Sequence, residues 1–362
     1  MLIFPPFYIY KCVIDPTKPI LINRKQGKIP RPFTSMQTSP PPSKYLQEED
    51  GLTQEEKTLL SSLPSEKGWV LTHLYQYQGF WHTTRNLQGV IACQLHFQAH
   101  DSDLLLVTTP KSGTTWLKAI MFTIMNRMRY PCSQHPLLTK NPHDLVPFLE
   151  IKLYIDNQIP DFTSFIDPRL FSTHLSYVSL PKSVKESNSK VVYLCRNPRD
   201  SFISHWHFAN KLRPKTLGPL SLEEAFESFC RGVSLCGPFW DHVLGYWKES
   251  LESPHKVFFL KFEELKEQPT VHLRRLAEFM GYPFSQEEER EGMVDEILRL
   301  CSFDNLSNLE VNKSGKMPSG EEHKAFFRRG EVGDWVNYLT SEMVERLDSI
   351  TEQKFHGSGL TF

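Results

Sequence analysis

The sequence predicts an α/β fold in three layers, a central parallel sheet flanked by helices, with a P-loop-like phosphate-binding loop. Three short apolar stretches typical of buried strands are each followed by a helical pattern, and this alternation indicates βαβ units with a parallel sheet. The 362 residues suit one large α/β domain or two average ones, and 40% apolar with 23% charged residues is an ordinary globular composition.

The individual elements can be placed along the chain. Residues 51–63 have the pattern of a short amphipathic helix. The strand–helix units follow at 101–109 with 114–128, at 190–196 with 197–212, and at 256–262 with about 271–280. In the second unit, Asn197 is a suitable N-cap and Pro198 suits the first helical position.

Residues 1–47 differ from the rest of the chain. They hold nine prolines, carry a net charge of +6 and show no apolar periodicity, so we predict a disordered basic extension. The segment resembles an organelle transit peptide. The alternative, which we favour, is that Met36 is the true start and that residues 1–35 are an artefact of the gene model. Residues 48–362 are predicted to form a single domain.

Charge and composition exclude several classes of function. A net charge of −1 disfavours a dedicated nucleic-acid binder, and no run approaches the ~18 apolar residues that a membrane span needs. The seven cysteines are widely spaced, with no CxxC pair and no secretory signal, which predicts a reduced protein of the cytoplasm. The His96/His100 and His205/His207 pairs lack further ligands, so we expect no metal site.

The segment TPKSGTTW, residues 109–116, lies between the first predicted strand and its helix. At such a junction the first helical N–H groups have no internal partner, and the helix dipole adds positive charge, which together suit a phosphate-like anion. Gly113 permits close approach of the backbone, and Lys111 adds a full charge. Ordinary helix capping is the alternative explanation of this segment.

A second anion site is predicted at Arg196, which ends the strand over 190–196. A Mg²⁺-dependent nucleotide kinase would instead need an acidic residue near this position, and the GxxxxGK[ST] motif is absent. Ligands bind along the carboxyl edge of open α/β sheets. We therefore expect a nucleotide with two separated anionic groups and no obligatory metal.

Four motifs together resemble the soluble sulfotransferases, in particular the plant cytosolic branch. They are KSGTTW (111–116), YLCRNPRDSFISHWHF (193–208), GPFWDHVLGYW (237–247) and RRGEVGDW (328–335). The resemblance runs from about residue 50 to the C-terminus. It implies transfer of a sulfuryl group from 3′-phosphoadenosine-5′-phosphosulfate (PAPS), as co-substrate, to a small hydroxylated acceptor.

The resemblance also implies a set of donor-binding residues. The 5′-phosphosulfate would be bound by Lys111, Ser112, Gly113, Thr114, Thr115 and Trp116. The 3′-phosphate would be bound by Arg196, Ser204, Arg328, Arg329 and Gly330, although a solvated basic turn is the alternative for the last three. The segment Cys301, Ser302 and Phe303 would lie along the nucleotide. Phe262 stands where the family commonly has Tyr, so one donor hydroxyl is missing.

By the same resemblance, His174 in the THL segment is the general base. An acceptor hydroxyl is a poor nucleophile until its proton is removed, and imidazole titrates near neutrality. Lys111 would stabilise charge on the leaving bridging oxygen of the donor. The transfer is expected to be direct and in line.

The family's plant acceptors are hydroxyjasmonates, flavonols, brassinosteroids and desulfoglucosinolates. The segments 332–339 and 309–314 most resemble the hydroxyjasmonate and flavonol relatives. The C-terminal region lacks the Lys and Val of the short dimer motif of animal relatives, so we expect a monomer or a weak homodimer. Two alternatives remain open: a P-loop nucleotide kinase, and a catalytically silent relative that only binds the nucleotide.

Overall fold

A computed structural model describes residues 52–155 and 159–362. The predicted extension over residues 1–47 lies outside the described residues, so its disorder and the division of the chain into an extension and a single domain stay predictions. In the described part of the chain, no helix has the length and apolar character that crossing a membrane requires.

The strands of the described residues form two sheets. They are β1 Ser65–Lys67, β2 His73–Tyr77, β3 Phe80–His82, β4 Leu104–Thr108, β5 Leu170–Thr173, β6 Lys190–Cys195 and β7 Val257–Lys261. The first three pair antiparallel, and the last four pair in parallel in the order β5-β4-β6-β7. The predicted α/β class with a central parallel sheet is confirmed. The antiparallel sheet was not predicted, because its strands are short and mostly polar.

The helices of the described residues include the four that the sequence predicts, close to their predicted positions. They are α1 Gln54–Ser62, α2 Thr84–His96, α3 Thr114–Asn126, α4 Pro142–Leu145, α5 Lys182–Glu186, α6 Pro198–Leu212, α7 Leu222–Cys230, α8 Phe239–Glu252, α9 Phe262–Glu267, α10 Pro269–Met280, α11 Gln286–Arg290, α12 Met293–Leu300, α13 Phe303–Asn308, α14 Glu310–Ser314 and α15 Ser341–Phe355. Asn197 caps α6, its side chain accepting the N–H of Arg199. The third predicted strand runs one residue too far, since Phe262 begins α9.

Both faces of the parallel sheet are buried, which explains why its strands are continuous apolar runs. Successive residues of β4 point to opposite faces: Leu105 and Val107 belong to one hydrophobic cluster, Leu104 and Leu106 to the other. The first cluster takes in residues of α2, α6, α8 and α15, and the second takes in residues of α3, α10 and α12. The sheet is therefore the middle layer between two layers of helices.

The strand register decides which residues meet at the carboxyl edge of this sheet. Val107 is opposite Thr173, Thr108 is opposite Leu194, and Cys195 is opposite Lys261. The residues that follow these positions are therefore brought side by side. In the order of the strands they are His174, the loop over 109–113, Arg196 and Phe262.

Candidate active site

The loop between β4 and α3 has a backbone that requires glycine at one position. Gly113 is the N-cap of α3, with φ of +107° and no side-chain cap. A Cβ on Gly113 would lie 2.8 Å from the Phe262 ring and 3.0 Å from the Leu194 side chain. Lys111 also has a left-handed backbone, with φ of +70°. The loop thus turns sharply and packs closely against the neighbouring strand ends.

A cavity of about 380 Å³ opens beside this loop. It is lined by most of the sequence-predicted site residues: Lys111, Gly113, Thr114, Thr115, Trp116, His174, Arg196, Ser204, Phe262, Ser302, Phe303, Arg328, Arg329 and Gly330. Two predicted residues do not line it. The Ser112 hydroxyl is buried 2.6 Å from the Thr109 hydroxyl, and the Cys301 thiol is buried 3.4 Å from the Thr123 hydroxyl. Their side chains therefore face the protein interior.

The cavity carries a concentration of positive charge. Among its described lining residues there are five Lys or Arg and no Asp or Glu. Burial and the neighbouring cations, Lys211, Arg328 and Arg196 in that order, lower the pKa of Lys111 to about 7. The Lys111 ammonium lies 4.2 Å from the centre of the Phe208 ring, a cation–π contact.

Two arginines keep an unused donor in this cavity. Arg196 donates to the backbone oxygen of Glu331 at 2.5 Å and lies 3.5 Å from the Asp200 carboxylate, while Arg328 pairs with Asp334. The Nε atoms of Arg196 and Arg328 are nevertheless buried and have no hydrogen-bond partner among the described residues. Buried unsatisfied donors destabilise a protein, and these two belong to arginines that line the cavity.

Asp200 holds the C-terminal motif against this cavity. Its two carboxylate oxygens accept the backbone N–H groups of Gly333 at 2.7 Å and Trp335 at 3.2 Å. Gly330 has φ of +68°, and a Cβ there would lie 2.6 Å from the Phe303 ring. The sequence analysis missed Asp200, whose position within the NPRD segment at the start of α6 is the signal that could have identified it.

His174 lies at the end of β5, and its ring contacts Thr108 through Nδ1, which is also 3.2 Å from the Thr108 hydroxyl. Nδ1 is 2.7 Å from the backbone oxygen of Thr108, which can only accept, so Nδ1 carries the proton and Nε2 has a free lone pair. Burial lowers the pKa of His174 to about 3, partly offset by this hydrogen bond. The imidazole is therefore neutral near pH 7, with Nε2 unprotonated.

The backbone of His174 is fixed from both sides by residues that the sequence analysis missed. The buried carboxylate of Glu150 accepts the His174 N–H at 2.7 Å and the Thr173 hydroxyl at 2.7 Å. His242 Nε2 is 3.0 Å from the His174 oxygen, while its Nδ1 is 3.0 Å from the Tyr193 hydroxyl. An acid after the apolar run VPFL is the sequence signal for Glu150.

The parallel sheet, with the loop over 109–113 turning sharply into α3 at its carboxyl edge, defines an α/β protein of the P-loop-like class. Residues 101–359 match the family model described as the sulfotransferase domain, and the chain belongs to this family. It is a sulfotransferase. Over 321 residues it is 53% identical to cytosolic sulfotransferase 12 of Arabidopsis thaliana, covering 88% of this chain and 97% of that protein. Cytosolic sulfotransferase 15 of the same plant is 51% identical over 87% of this chain and 89% of its own length.

Solved structures agree with this assignment. The crystal structure of an Arabidopsis thaliana protein described as a steroid sulphotransferase is 45% identical and superimposes with a TM-score of 0.69, covering 87% of this chain and 100% of that one. Mouse sulfotransferase SULT7A1, solved in complex with PAP, shares the fold with a TM-score of 0.61 at 24% identity, covering 79% of this chain and 95% of that one.

Proposed function

We propose that this protein transfers the sulfuryl group of PAPS to a hydroxyl group of a small plant metabolite in the cytoplasm. The observation that carries the proposal is the position of His174, which lines the same cavity as Lys111 and Thr114 and whose Nε2 is unprotonated. One cavity therefore offers a proton acceptor and a group of cations.

The donor is a nucleotide with two separated anionic groups, and the cavity residues fit such a molecule. Lys111, Thr114 and Thr115 would bind the phosphosulfate, and Arg196, Ser204 and Arg328 would bind the 3′-phosphate. The unpartnered Nε atoms of the two arginines support this assignment. Phe262 and Phe303, which pack on Gly113 and Gly330, give the donor apolar walls. PAP in the mouse relative is the desulfated form of the same donor.

In the proposed reaction the acceptor oxygen attacks the donor sulfur in line, as its proton passes to His174 Nε2. The bond between the sulfur and the bridging oxygen breaks, and Lys111 stabilises the charge that develops on the leaving phosphate. The nearest analogy is phosphoryl transfer, in which proteins contribute mainly positioning and electrostatic stabilisation. No covalent intermediate and no metal ion take part in this proposal.

The acceptor would lie against the remaining walls of the cavity. These walls are apolar and include Phe148, Ile151, Phe208, Leu235 and Phe326. Such walls suit an acceptor with an apolar body, and Phe148 lies 4.6 Å, ring to ring, from His174. Hydroxyjasmonates, flavonols, brassinosteroids and desulfoglucosinolates are the classes to be compared.

The test is transfer of label from [³⁵S]PAPS to a panel of these hydroxylated compounds, alongside calorimetric titration with PAP. We expect PAP to bind and at least one acceptor to be labelled. Magnesium-dependent ATP turnover without sulfuryl transfer would favour the kinase alternative, which the lack of acidic residues along the described cavity lining disfavours. PAP binding with no transfer to any acceptor would favour the silent relative. A monomer or weak homodimer remains our expectation for the assembly.

A further inference from the structure

A buried lysine stands behind the donor-binding loop, and a buried histidine lies between this lysine and the cavity, which the histidine lines. Lys118 is one helical turn beyond Thr115 on α3, and its side chain is fully buried. His143, on the short helix α4, is also buried and lies between them: its Nε2 is 2.9 Å from the Thr115 hydroxyl and its Nδ1 is 3.0 Å from Lys118 Nζ. The three side chains form a continuous hydrogen-bonded chain that ends at the cavity.

The direction of these hydrogen bonds depends on the charge of Lys118, whose pKa is lowered well below its usual range by burial. Nζ lies 2.9 Å from the backbone oxygen of Val146, 3.0 Å from His143 Nδ1 and 3.5 Å from the centre of the Phe148 ring. A carbonyl oxygen, a ring nitrogen and an aromatic face all accept, and they match the three N–H donors of an ammonium group. With Lys118 charged, which this inference assumes, His143 Nδ1 carries a lone pair toward Lys118.

The tautomer of His143 follows from this contact. Burial and the charge of Lys118 lower the pKa of His143 well below its usual range, so the imidazole is neutral and carries one N–H. With Nδ1 accepting from Lys118, that N–H is at Nε2 and donates to the Thr115 oxygen. The Thr115 hydroxyl proton is then left free for another acceptor.

The His143 ring is held in one orientation by its neighbours. Its backbone N–H donates to the Asn141 side chain at 2.9 Å, and its ring stacks against Phe148 at 5.6 Å and against Phe326 at 4.3 Å. Because the ring is held by these contacts, its Nε2–H remains directed at Thr115.

We propose that Lys118 and His143 are positioning residues that direct the Thr115 hydroxyl proton into the cavity, toward the anionic end of the donor. This inference rests on the proposed function, since it assumes that the cavity binds the phosphosulfate of PAPS. Neither residue need touch the donor for this role. They affect donor binding by fixing the direction in which the Thr115 hydroxyl group donates its proton.

The first test is the tautomer itself, measured by nitrogen-15 NMR of histidine-labelled protein without ligand. We expect His143 as the neutral Nε2–H form and His174, an internal reference, as the Nδ1–H form. In Lys118→Met the donor to Nδ1 is lost, and we expect His143 to shift toward the Nδ1–H form. A wild-type His143 in the Nδ1–H form would overturn the proposal.

The matched control for Lys118→Met is Lys190→Met. Lys190 is a partly buried lysine with the same kinds of contact, since its Nζ donates to the Phe279 oxygen at 2.7 Å and lies 5.5 Å from the centre of the Phe279 ring. It does not line the cavity. We expect Lys190→Met to leave the His143 tautomer and the affinity for PAP unchanged.

The second test is a double-mutant cycle on PAP affinity, measured by calorimetry, which needs no acceptor. Thr115→Val should weaken PAP binding about 10-fold or more, the scale of a lost hydrogen bond to a charged group. His143→Phe keeps the ring stacking but removes both nitrogens, and should weaken binding about 3- to 10-fold. In the Thr115→Val background, His143→Phe should change the affinity by less than about 2-fold.

The cycle distinguishes a positioning role of His143 from a structural one. It also distinguishes a failure of this inference from a failure of the proposed function. An equal loss from His143→Phe in both backgrounds would show a purely structural role and overturn the inference, while leaving the proposed function intact. A wild type that binds no PAP would contradict the proposed function and with it this inference. Should His143→Phe fail to fold, the same cycle with Lys118→Met applies the same criterion.

Discussion

Adding one methyl group at Gly113 tests whether the donor loop depends on its backbone and on its contact with Phe262. In Gly113→Ala the new Cβ lies 2.8 Å from the Phe262 ring. A left-handed conformation costs an L-residue about 1–2 kcal/mol, and overpacking at a tight contact costs about 1–3 kcal/mol more. We therefore expect the free energy of unfolding to fall by about 2–5 kcal/mol.

Gly281→Ala is the matched control. Gly281 also has a positive φ, +86°, but a Cβ there would have no atom of the described residues within 4 Å. Only the conformational cost of about 1–2 kcal/mol is expected at this position. Urea unfolding of the two variants and the wild type gives the free energy of unfolding of each. The difference between Gly113→Ala and Gly281→Ala is the steric cost at Gly113, since both variants share the conformational cost.

The two variants should also differ in PAP affinity. Phe262 contacts Trp116 edge to face at 5.5 Å between ring centres and lies 4.6 Å from the Arg196 guanidinium, so displacing its ring disturbs two donor-binding side chains. We expect Gly113→Ala to weaken PAP binding about 10-fold or more, and Gly281→Ala to leave it unchanged. Equal destabilisation of the two variants, with unchanged PAP affinity in both, would refute the reasoning.

The remaining predictions concern the charge of Lys111 and the support of His174. Because the pKa of Lys111 is about 7 in the free protein and its charged form binds the anion, PAP affinity should fall up to about 10-fold per unit as the pH rises from 7 to 9. Lys111→Met should remove this slope in calorimetry, and a slope that persists in the variant would contradict the assignment. Glu150→Ala leaves the His174 N–H unpaired and should lower the single-turnover rate about 10-fold or more with PAP affinity unchanged. Glu150→Gln, which keeps one acceptor oxygen, should retain most of the rate, and an unimpaired Glu150→Ala would remove Glu150 from this role.

The sequence predicts the parallel sheet and the strand, turn and helix over 104–126 well, because both depend on local patterns. The strand over 104–108, the turn at Gly113 and the helix that follows are contiguous, and so are Arg196 and its strand. Parallel strands bring their carboxyl ends to one edge, so local patterns alone indicate that these two groups meet. His174 has no such local signal, and only the family resemblance indicates it.

The residues that the sequence analysis missed act through contacts between distant parts of the chain. Glu150 and His174 are 24 residues apart, Lys118 and His143 are 25 apart, and Asp200 bonds to Gly333 across 133 residues. In a sequence, neither the NPRD segment nor an acid after VPFL indicates which distant residue the carboxylate contacts. Only the tertiary packing buries these side chains and gives each a defined partner.

The central claim is that His174 removes the acceptor proton in a PAPS-dependent sulfuryl transfer. The most direct measurement is the single-turnover rate of label transfer from saturating [³⁵S]PAPS to an accepted hydroxyl compound, compared between wild type and His174→Ala. The account predicts a rate roughly 10²-fold or more lower in the variant, with PAP affinity retained. Equal rates in the two proteins would contradict it.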